Sequence, residues 1–481
     1  MSLRRITLVV LTLGLATAMG RSEDGATIRD PQVGICTHFA FGGSGWPPGY
    51  ITPIIARTGA GWIRDDLFWS RVERSPGVYA IPKDTLAWID AVHAAGIKID
   101  LIFNYGNKIY PDPYDPQAYA KAAAWTAAEL AGKIDAIEIM NEPANFGFSK
   151  HYDGEQAWSG LKADGTVATY IGKYVTLLNT AAKAIRAANP NIKIIGLGCS
   201  AGANFRALAL GIAPEVDGVT DHPYSAHSMP EHVPFDDNAS TRKRDGIATA
   251  DAHGSFASQL AMYQAQSAKY QGPKELWLTE QGWPTFHPAT PFGLFTGVDD
   301  LTQAKYILRR LTEARGMGAA CTFVYDLRDD GASPGNPEHH FGFFDFKMKP
   351  KPSYFALQHY CATMSGFERQ TDLKADIALK GSPGSAMFGP DKTAGADAVR
   401  SYGFADRKGA KRVAVWYADR ETGIDATVRI KSTQALSSIR ADDPLTGKTW
   451  SIPCRSESGE LVLEGFKLTD SPILLTLTAA P

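Results

Sequence analysis

The sequence predicts an α/β protein: a (β/α)8 TIM barrel followed by a small C-terminal antiparallel β-sandwich. Three observations carry this expectation. From Gln32 onward, short apolar runs alternate with longer segments of helical period. The runs number eight, which closes a parallel barrel. After Pro350 the helical period gives way to period-two alternation. With 481 residues, 44% hydrophobic and 21% charged, the chain has enough material for one large unit and one smaller one.

The expected strands are Val33 to His38, Gly61 to Leu67, Ile97 to Asn104, Ile134 to Asn141, Ile192 to Cys199, Val216 to His222, Glu275 to Glu280 and Ala319 to Asp326. Helical stretches lie between them, among them Leu86 to Ala95, Ala118 to Ala131, Tyr170 to Ala188, Phe256 to Tyr270 and Thr302 to Arg315, and Gly or Asn/Pro signals end each one. An open doubly wound sheet is the alternative. It is disfavoured because the first strand runs through Thr37, His38 and Phe39 into Gly42, Gly43 and Gly45 without a phosphate loop opening a helix. The loops after several strands are long and rich in Pro, Gly, Asp and aromatics (Tyr105 to Pro116, Pro143 to Val167, Pro223 to His253, Leu327 to Asp345), whereas the helix-to-strand returns are short. In a barrel the long loops share one face, where active sites are built. They predict an open groove there.

A last helix begins at Lys351-Pro352-Ser353-Tyr354, and beyond Gly366 the alternation Val413, Val415, Tyr417, then Val428, Ile430, Leu461, Leu463, Ile473, Leu475 and Leu477 reads as the sandwich. The expected division is a barrel over 31–364 and an accessory sandwich over 366–481. Ahead of both, Arg4 and Arg5 precede an apolar run from Ile6 to about Ala18, with small residues at Ala18 and Gly20. This predicts a signal peptide over 1–20 and a secreted or periplasmic protein. No run approaches the ~20 apolar residues of a membrane span. Five cysteines, an odd number at wide spacing, form no metal-ligand pattern, and Cys36, Cys199 and Cys321 read as small core residues.

Lys+Arg 49 against Asp+Glu 51 leaves a net charge of -2, with no basic excess for a phosphate backbone, so nucleic acid is not expected as a partner. Two carboxylates stand out because each ends an apolar strand: Glu142 in Ile139-Met140-Asn141-Glu142-Pro143 and Glu280 in Leu278-Thr279-Glu280-Gln281-Gly282. Period two places Glu142 in phase with Met140 and Glu280 in phase with Leu276 and Leu278; if those apolar neighbours fill the barrel, both glutamates point inward and converge. Glu138 shares the phase of Glu142 but lies roughly 13 Å deeper, which gives it a structural role.

Asn141-Glu142-Pro143 after a fourth strand and Thr279-Glu280-Gln281-Gly282-Trp283 on a seventh resemble clan A of the retaining glycoside hydrolases, in particular family 39. The likeness runs from about Val33 to Leu357 and takes in Arg64, Asn104, His222-Pro223-Tyr224, and Phe343-Phe344-Asp345 through Tyr354. Glu280-Gln281-Gly282-Trp283-Pro284 is also similar to the nucleophile region of family 17 β-1,3-glucanases. The resemblance implies that Glu142 is the general acid/base, Glu280 the nucleophile and Asn141 the donor to the sugar 2-hydroxyl. It implies a poly- or oligosaccharide substrate and no cofactor.

Retaining chemistry itself needs one protonated and one ionised carboxyl close together. Arg64 and Tyr224 are the candidates for holding the nucleophile ionised, against the plainer readings of Arg64 as a buried partner of Glu138 or Asp65 and of Tyr224 as packing. His222 reads as a substrate contact or an orienting group, and His38 and Asn104 as substrate contacts. Trp283 and Tyr325 are the expected sugar platforms, with Trp69, Phe146 and Phe148 as further aromatic candidates. His339 and His340 lack a third spaced ligand, so no metal site is expected. Two other functions fit the same scaffold. One is transglycosylation, and the other is a carbohydrate-binding barrel without turnover.

Overall fold

The computed structural model describes residues 29–41, 45–286, 295–381, 398–419, 422–432 and 435–477. The expected signal peptide, Gly42 and Gly43 lie outside these described residues. Eight parallel strands form a closed barrel: β1 (Asp30–Cys36), β2 (Ala60–Phe68), β3 (Lys98–Asn104), β4 (Ala136–Ile139), β5 (Lys193–Cys199), β6 (Gly218–Asp221), β7 (Glu275–Leu278) and β8 (Cys321–Val324). Each pairs with its neighbours in sequence order, and β1 pairs with β8 to close the ring. Among the described residues no helix is long and apolar enough to cross a membrane.

Local chemistry explains where the surrounding helices begin. Asp115, Ser255 and Asp299 cap the helices Pro116–Glu129, Phe256–Gln271 and Asp300–Met317, each side chain accepting from backbone N–H groups of the first turn. Two further barrel helices, Pro48–Thr58 and Ala201–Leu210, escape the sequence pattern. The first opens on Pro48 and holds Pro53, and the second is short and rich in alanine.

Barrel filling departs from the expected phase. Trp62 and Trp277 meet edge to face at 5.2 Å. Since β2 and β7 are not neighbours, these rings touch across the lumen, together with Cys36, Ala136, Ile195, Cys321 and Phe323. Leu276 and Leu278 therefore pack outward against the helices, as do Ile137 and Ile139. The lumen is tight: a Cβ on Gly34 would stand 2.2 Å from the Phe323 ring. Cys36, Cys321 and Cys361 are buried free thiols and Cys454 is half-buried. The side chain of Cys199 lies outside the description.

The helix Pro352–Met364 closes the barrel, and antiparallel strands follow. Six form one sheet, in the order β9 (Glu368–Arg369), β11 (Val399–Ala405), β12 (Lys411–Tyr417), β18 (Ile473–Thr476), β14 (Ser438–Asp443), β15 (Lys448–Pro453). Four form another, β10 (Ala375–Leu379), β13 (Ile424–Lys431), β17 (Glu460–Leu468), β16 (Arg455–Glu457). Every apolar residue of the alternating pattern, from Val413 to Leu477, enters the core between them.

This sandwich is fastened to the barrel through the helix Asp300–Met317. Arg309 donates from Nε to Glu231 Oε1 at 2.7 Å and from Nη2 to Oε2 at 2.5 Å, and Trp416 of β12 donates to Glu231 at 2.7 Å. Tyr402 of β11 donates to Glu313 at 2.8 Å. Arg309, Arg310, Glu313 and Arg315 are buried because the helix is covered on both sides. Burial opposes charge on Glu231, but the Arg309 guanidinium prevails and holds its carboxyl down to about 2.

Candidate active site

Arg64, in the middle of β2, is nearly fully buried, and each of its terminal groups has a partner. Nε donates to Glu138 at 2.6 Å, Nη1 to Glu280 at 2.7 Å and Nη2 to Asn141 Oδ1 at 2.8 Å. One planar fork thus ties β2 to the ends of β4 and β7. Glu138 is sealed from solvent, as its structural role requires, but its carboxylate rises to within one guanidinium of Glu280. The expected depth of ~13 Å along the strand ignored the reach of these side chains.

Both glutamates converge on the cleft, by a route other than strand alternation. β4 stops at Ile139, three residues before Glu142, and β7 stops at Leu278, two before Glu280. Met140 and Glu142 have φ of 65° and 40°, so the pleat is broken and Met140 turns into the outer core. Thr279 faces inward instead of Leu278, its hydroxyl 3.3 Å from Glu138 Oε1.

His222, just past β6, bridges the two carboxylates. Its Nδ1 lies 2.8 Å from Glu142 Oε1 and 3.6 Å from Glu280 Oε2, and its Nε2 lies 3.1 Å from Thr279 Oγ1. An oxygen of Glu142 and one of Glu280 stand within 4.8 Å of each other. If Thr279 donates to Glu138, its oxygen accepts from Nε2–H, and a neutral His222 then presents Nδ1 as an acceptor toward Glu142. Burial works against the imidazolium, but Glu280 and Glu142 outweigh it and raise the His222 pKa.

Glu280 also accepts from the Tyr224 hydroxyl at 3.1 Å. Burial would neutralise the Glu280 carboxyl; His222, Arg64 and Tyr224 together hold it below the usual carboxylate range. Tyr224 itself is pushed well up, by burial and then by Glu280, so its hydroxyl keeps the proton it donates. Glu142 accepts from Asn145 Nδ2 at 3.1 Å.

These residues floor a cleft of about 1910 Å³. Asn141, His38 and Tyr325 line it as expected. Asn104 does not: it is fully buried, donating to Asp66 at 2.5 Å and accepting from the Asn141 backbone N–H at 2.9 Å. It positions the β4 terminus and cannot touch a sugar. Trp283 is corrected too, being only 2% exposed, packed edge-on against Tyr306 and lying under Arg310. After Gly282 the chain turns the indole into the layer between strands and helices. Trp69 and Phe148 are likewise core residues. Of the further aromatic candidates, Phe146 lines the cleft, 53% exposed beside Tyr105.

Several wall residues went unnoticed in the sequence: Asp66, Tyr105, Trp158 (44% exposed), Phe346 and Glu338. Only Tyr105 carried a signal, as the neighbour of Asn104 at the end of a strand. Glu338 accepts from Tyr325 at 3.4 Å, and burial followed by the Glu280 charge raises it to about 7. Among the described residues, two groups of side chains bring metal-ligand atoms within 4.8 Å of one another: Glu142, His222 and Glu280, and His38, Asp326 and Asp330. In the first, Arg64, Tyr224 and Asn145 already engage the carboxylates. In the second, carboxylates from β8 and its loop face a histidine from the end of β1, a grouping that no local spacing reveals.

No family model and no curated protein matches the chain. Solved structures do. A family 39 glycoside hydrolase from the gut symbiont Bacteroides cellulosilyticus WH2 superposes with a TM-score of 0.67 at 22% identity, covering 94% of this chain and 81% of its own. The GH51 arabinofuranosidase from Xanthomonas axonopodis pv. citri gives 0.55 at 12% identity, covering 89% of each chain. The catalytic domain of GH30 xylanase C from Talaromyces cellulolyticus gives 0.53 at 13%, covering 94% of this chain and 98% of its own. At these identities the likeness establishes the fold, a barrel with a C-terminal sandwich.

Proposed function

We propose that this chain is an exported retaining glycoside hydrolase that cleaves β-glycosidic bonds of a poly- or oligosaccharide. The observation that carries the reading is the approach of Glu142 and Glu280 to within 4.8 Å at the mouth of the barrel. Retaining enzymes hold their carboxyls about 5 to 5.5 Å apart, whereas inverting enzymes need about 6.5 to 9.5 Å to admit a water between them. The structural neighbours, a family 39 glycoside hydrolase, a GH51 arabinofuranosidase and a GH30 xylanase, support the same reading.

The roles follow from the different surroundings of the two carboxyls. Glu280, held ionised by Arg64 and Tyr224, attacks the anomeric carbon as the glycosidic bond breaks. Glu142 gives its proton to the departing oxygen, and His222 Nδ1 and Asn145 fix the orientation of that carboxyl. A water then takes the leaving group's place, gives its proton to Glu142 and displaces Glu280 from the sugar. Asn141, its Oδ1 occupied by Arg64, has amide hydrogens left for the sugar 2-hydroxyl.

The volume of the cleft and its exposed Phe146 and Trp158 favour internal cleavage of a chain over release of single sugars. The charged-then-apolar start from Arg4 to Ala18 supports export to the periplasm or medium. The test is proton NMR of the first product formed from a panel of aryl β-glycosides (glucoside, xyloside, mannoside, galactoside). A β-anomer as first product supports retention and an α-anomer overturns it. A protein that binds oligosaccharide without turning over any of the panel would instead be a binding barrel.

A further inference from the structure

We propose that His38, Asp326 and Asp330 form a divalent-cation site on the wall of the cleft, selective for a borderline ion such as Zn2+ or Mn2+. The three residues stand together because β1 and β8 are neighbours. His38 lies two residues past the end of β1 and Asp326 two past the end of β8, and Asp330 returns over them from the following loop. The inference is independent of the glycosidase reading.

Geometry supports the site first. His38 Nδ1 lies 2.8 Å from Asp330 Oδ1 and 3.8 Å from Asp326 Oδ2. Ligand atoms about 2.1 Å from a tetrahedral zinc are separated by about 3.4 Å; both His38 separations lie within roughly half an ångström of that spacing, and the two aspartate oxygens lie within 4.8 Å of each other. Asp326 is the second observation. It is 0% exposed, and neither of its oxygens has a hydrogen-bond partner among the described residues. An unsatisfied buried carboxylate is costly, and a metal ligand is one of the few roles that repays it.

Charge and access agree. Two carboxylates balance a divalent ion that displaces the His38 proton, which, against burial, Asp330 and Asp326 otherwise hold up to about 10, and one nitrogen with two oxygens suits zinc or manganese better than calcium, which takes six to eight oxygens. Asp330 is 32% exposed and both it and His38 line the cleft, which gives an ion its entry path and leaves open coordination positions facing the cleft. Lys351 is committed to Asp329 at 2.7 Å and so does not compete for Asp326.

The test is isothermal titration of EDTA-treated, dialysed full-length protein with ZnCl2, MnCl2 and CaCl2, with thermal melts in parallel. One Zn2+ or Mn2+ per chain is expected, with a matching rise in melting temperature. Asp326→Asn should weaken binding by more than about 100-fold, and the more exposed Asp330→Ala gives the same reading if the first variant folds poorly. His151→Gln, a surface histidine paired with Asp112 far along the chain, should bind as the parent does. Absence of saturable one-site binding, preference for Ca2+, or unchanged affinity in both aspartate variants would overturn the proposal, leaving an imidazolium held between carboxylates.

Discussion

Arg64 donates to Glu280 at 2.7 Å with the same guanidinium that holds the buried Glu138 at 2.6 Å, so the charge that keeps Glu280 ionised also neutralises Glu138. Replacing Arg64 by Met should therefore cost twice. Leaving Glu138 unpaired should lower unfolding free energy by about 3–5 kcal/mol in urea titrations. Activity should also fall, because Glu280 loses a guanidinium that both pairs with and hydrogen-bonds its carboxylate.

Tyr224→Phe separates the second effect from the first, since it removes one neutral donor. A fall of about 10- to 100-fold in kcat/KM is expected, with near-native stability. The pH profile adds the sign. The Glu280 pKa is depressed in the folded protein, so activity that needs its carboxylate should persist below the usual glutamate range and be lost as pH falls through the lowered value. In Tyr224→Phe the acid limb should move up in pH; an unmoved limb would deny the tyrosine this role.

The aromatic walls make a contrasting pair. Phe146→Ala and Trp158→Ala, which remove exposed rings from the cleft, should raise KM for oligosaccharides with little change in melting temperature. Trp283→Ala should instead cost about 3–5 kcal/mol of stability, as a core truncation does. Initial-rate kinetics beside thermal melts distinguishes the two classes.

The contrast marks how far the sequence could be read. Glu142, Glu280, His222 and Tyr224 were legible because chemistry at the mouth of a barrel must come from strand ends, and apolar runs with Pro and Gly stops reveal those ends; Arg64, in the middle of its strand, was legible only as a charge inside an apolar run. Their convergence followed for a reason other than alternation, since Leu276 and Leu278 face the helices and the left-handed backbone at Met140 and Glu142 re-aims the chain. No period could show that. Trp283 was misplaced because a Gly turn can send the next side chain to either layer, and Asn104 because a strand-end amide serves a neighbouring backbone as readily as a ligand. Tyr105, Trp158, Glu338 and Phe346 meet only in three dimensions.

Attachment of the sandwich should depend on Glu231. Its folded pKa, held near about 2 chiefly by Arg309 against burial, lies below the ~4.3 of an unfolded glutamate. The stabilisation is thus complete above the unfolded value and lost as pH falls toward the folded one. Glu231→Gln should destabilise by about 3–5 kcal/mol at neutral pH, because Arg309 and Trp416 lose a shared carboxylate. Urea titrations between those two pH values should show a flatter pH dependence in the variant than in the parent.

The division of labour between the two glutamates is tested most directly by azide rescue, read by proton NMR of the glycosyl azide formed from an aryl β-glycoside with a good leaving group. With Glu142→Ala the first step barely needs a proton, so the glycosyl-enzyme accumulates and azide should release it as the β-azide. With Glu280→Gly azide enters the space left by the nucleophile and should give the α-azide. An α-azide from Glu142→Ala would reverse the two roles, and equal loss in both variants with no azide product would contradict the double-displacement account.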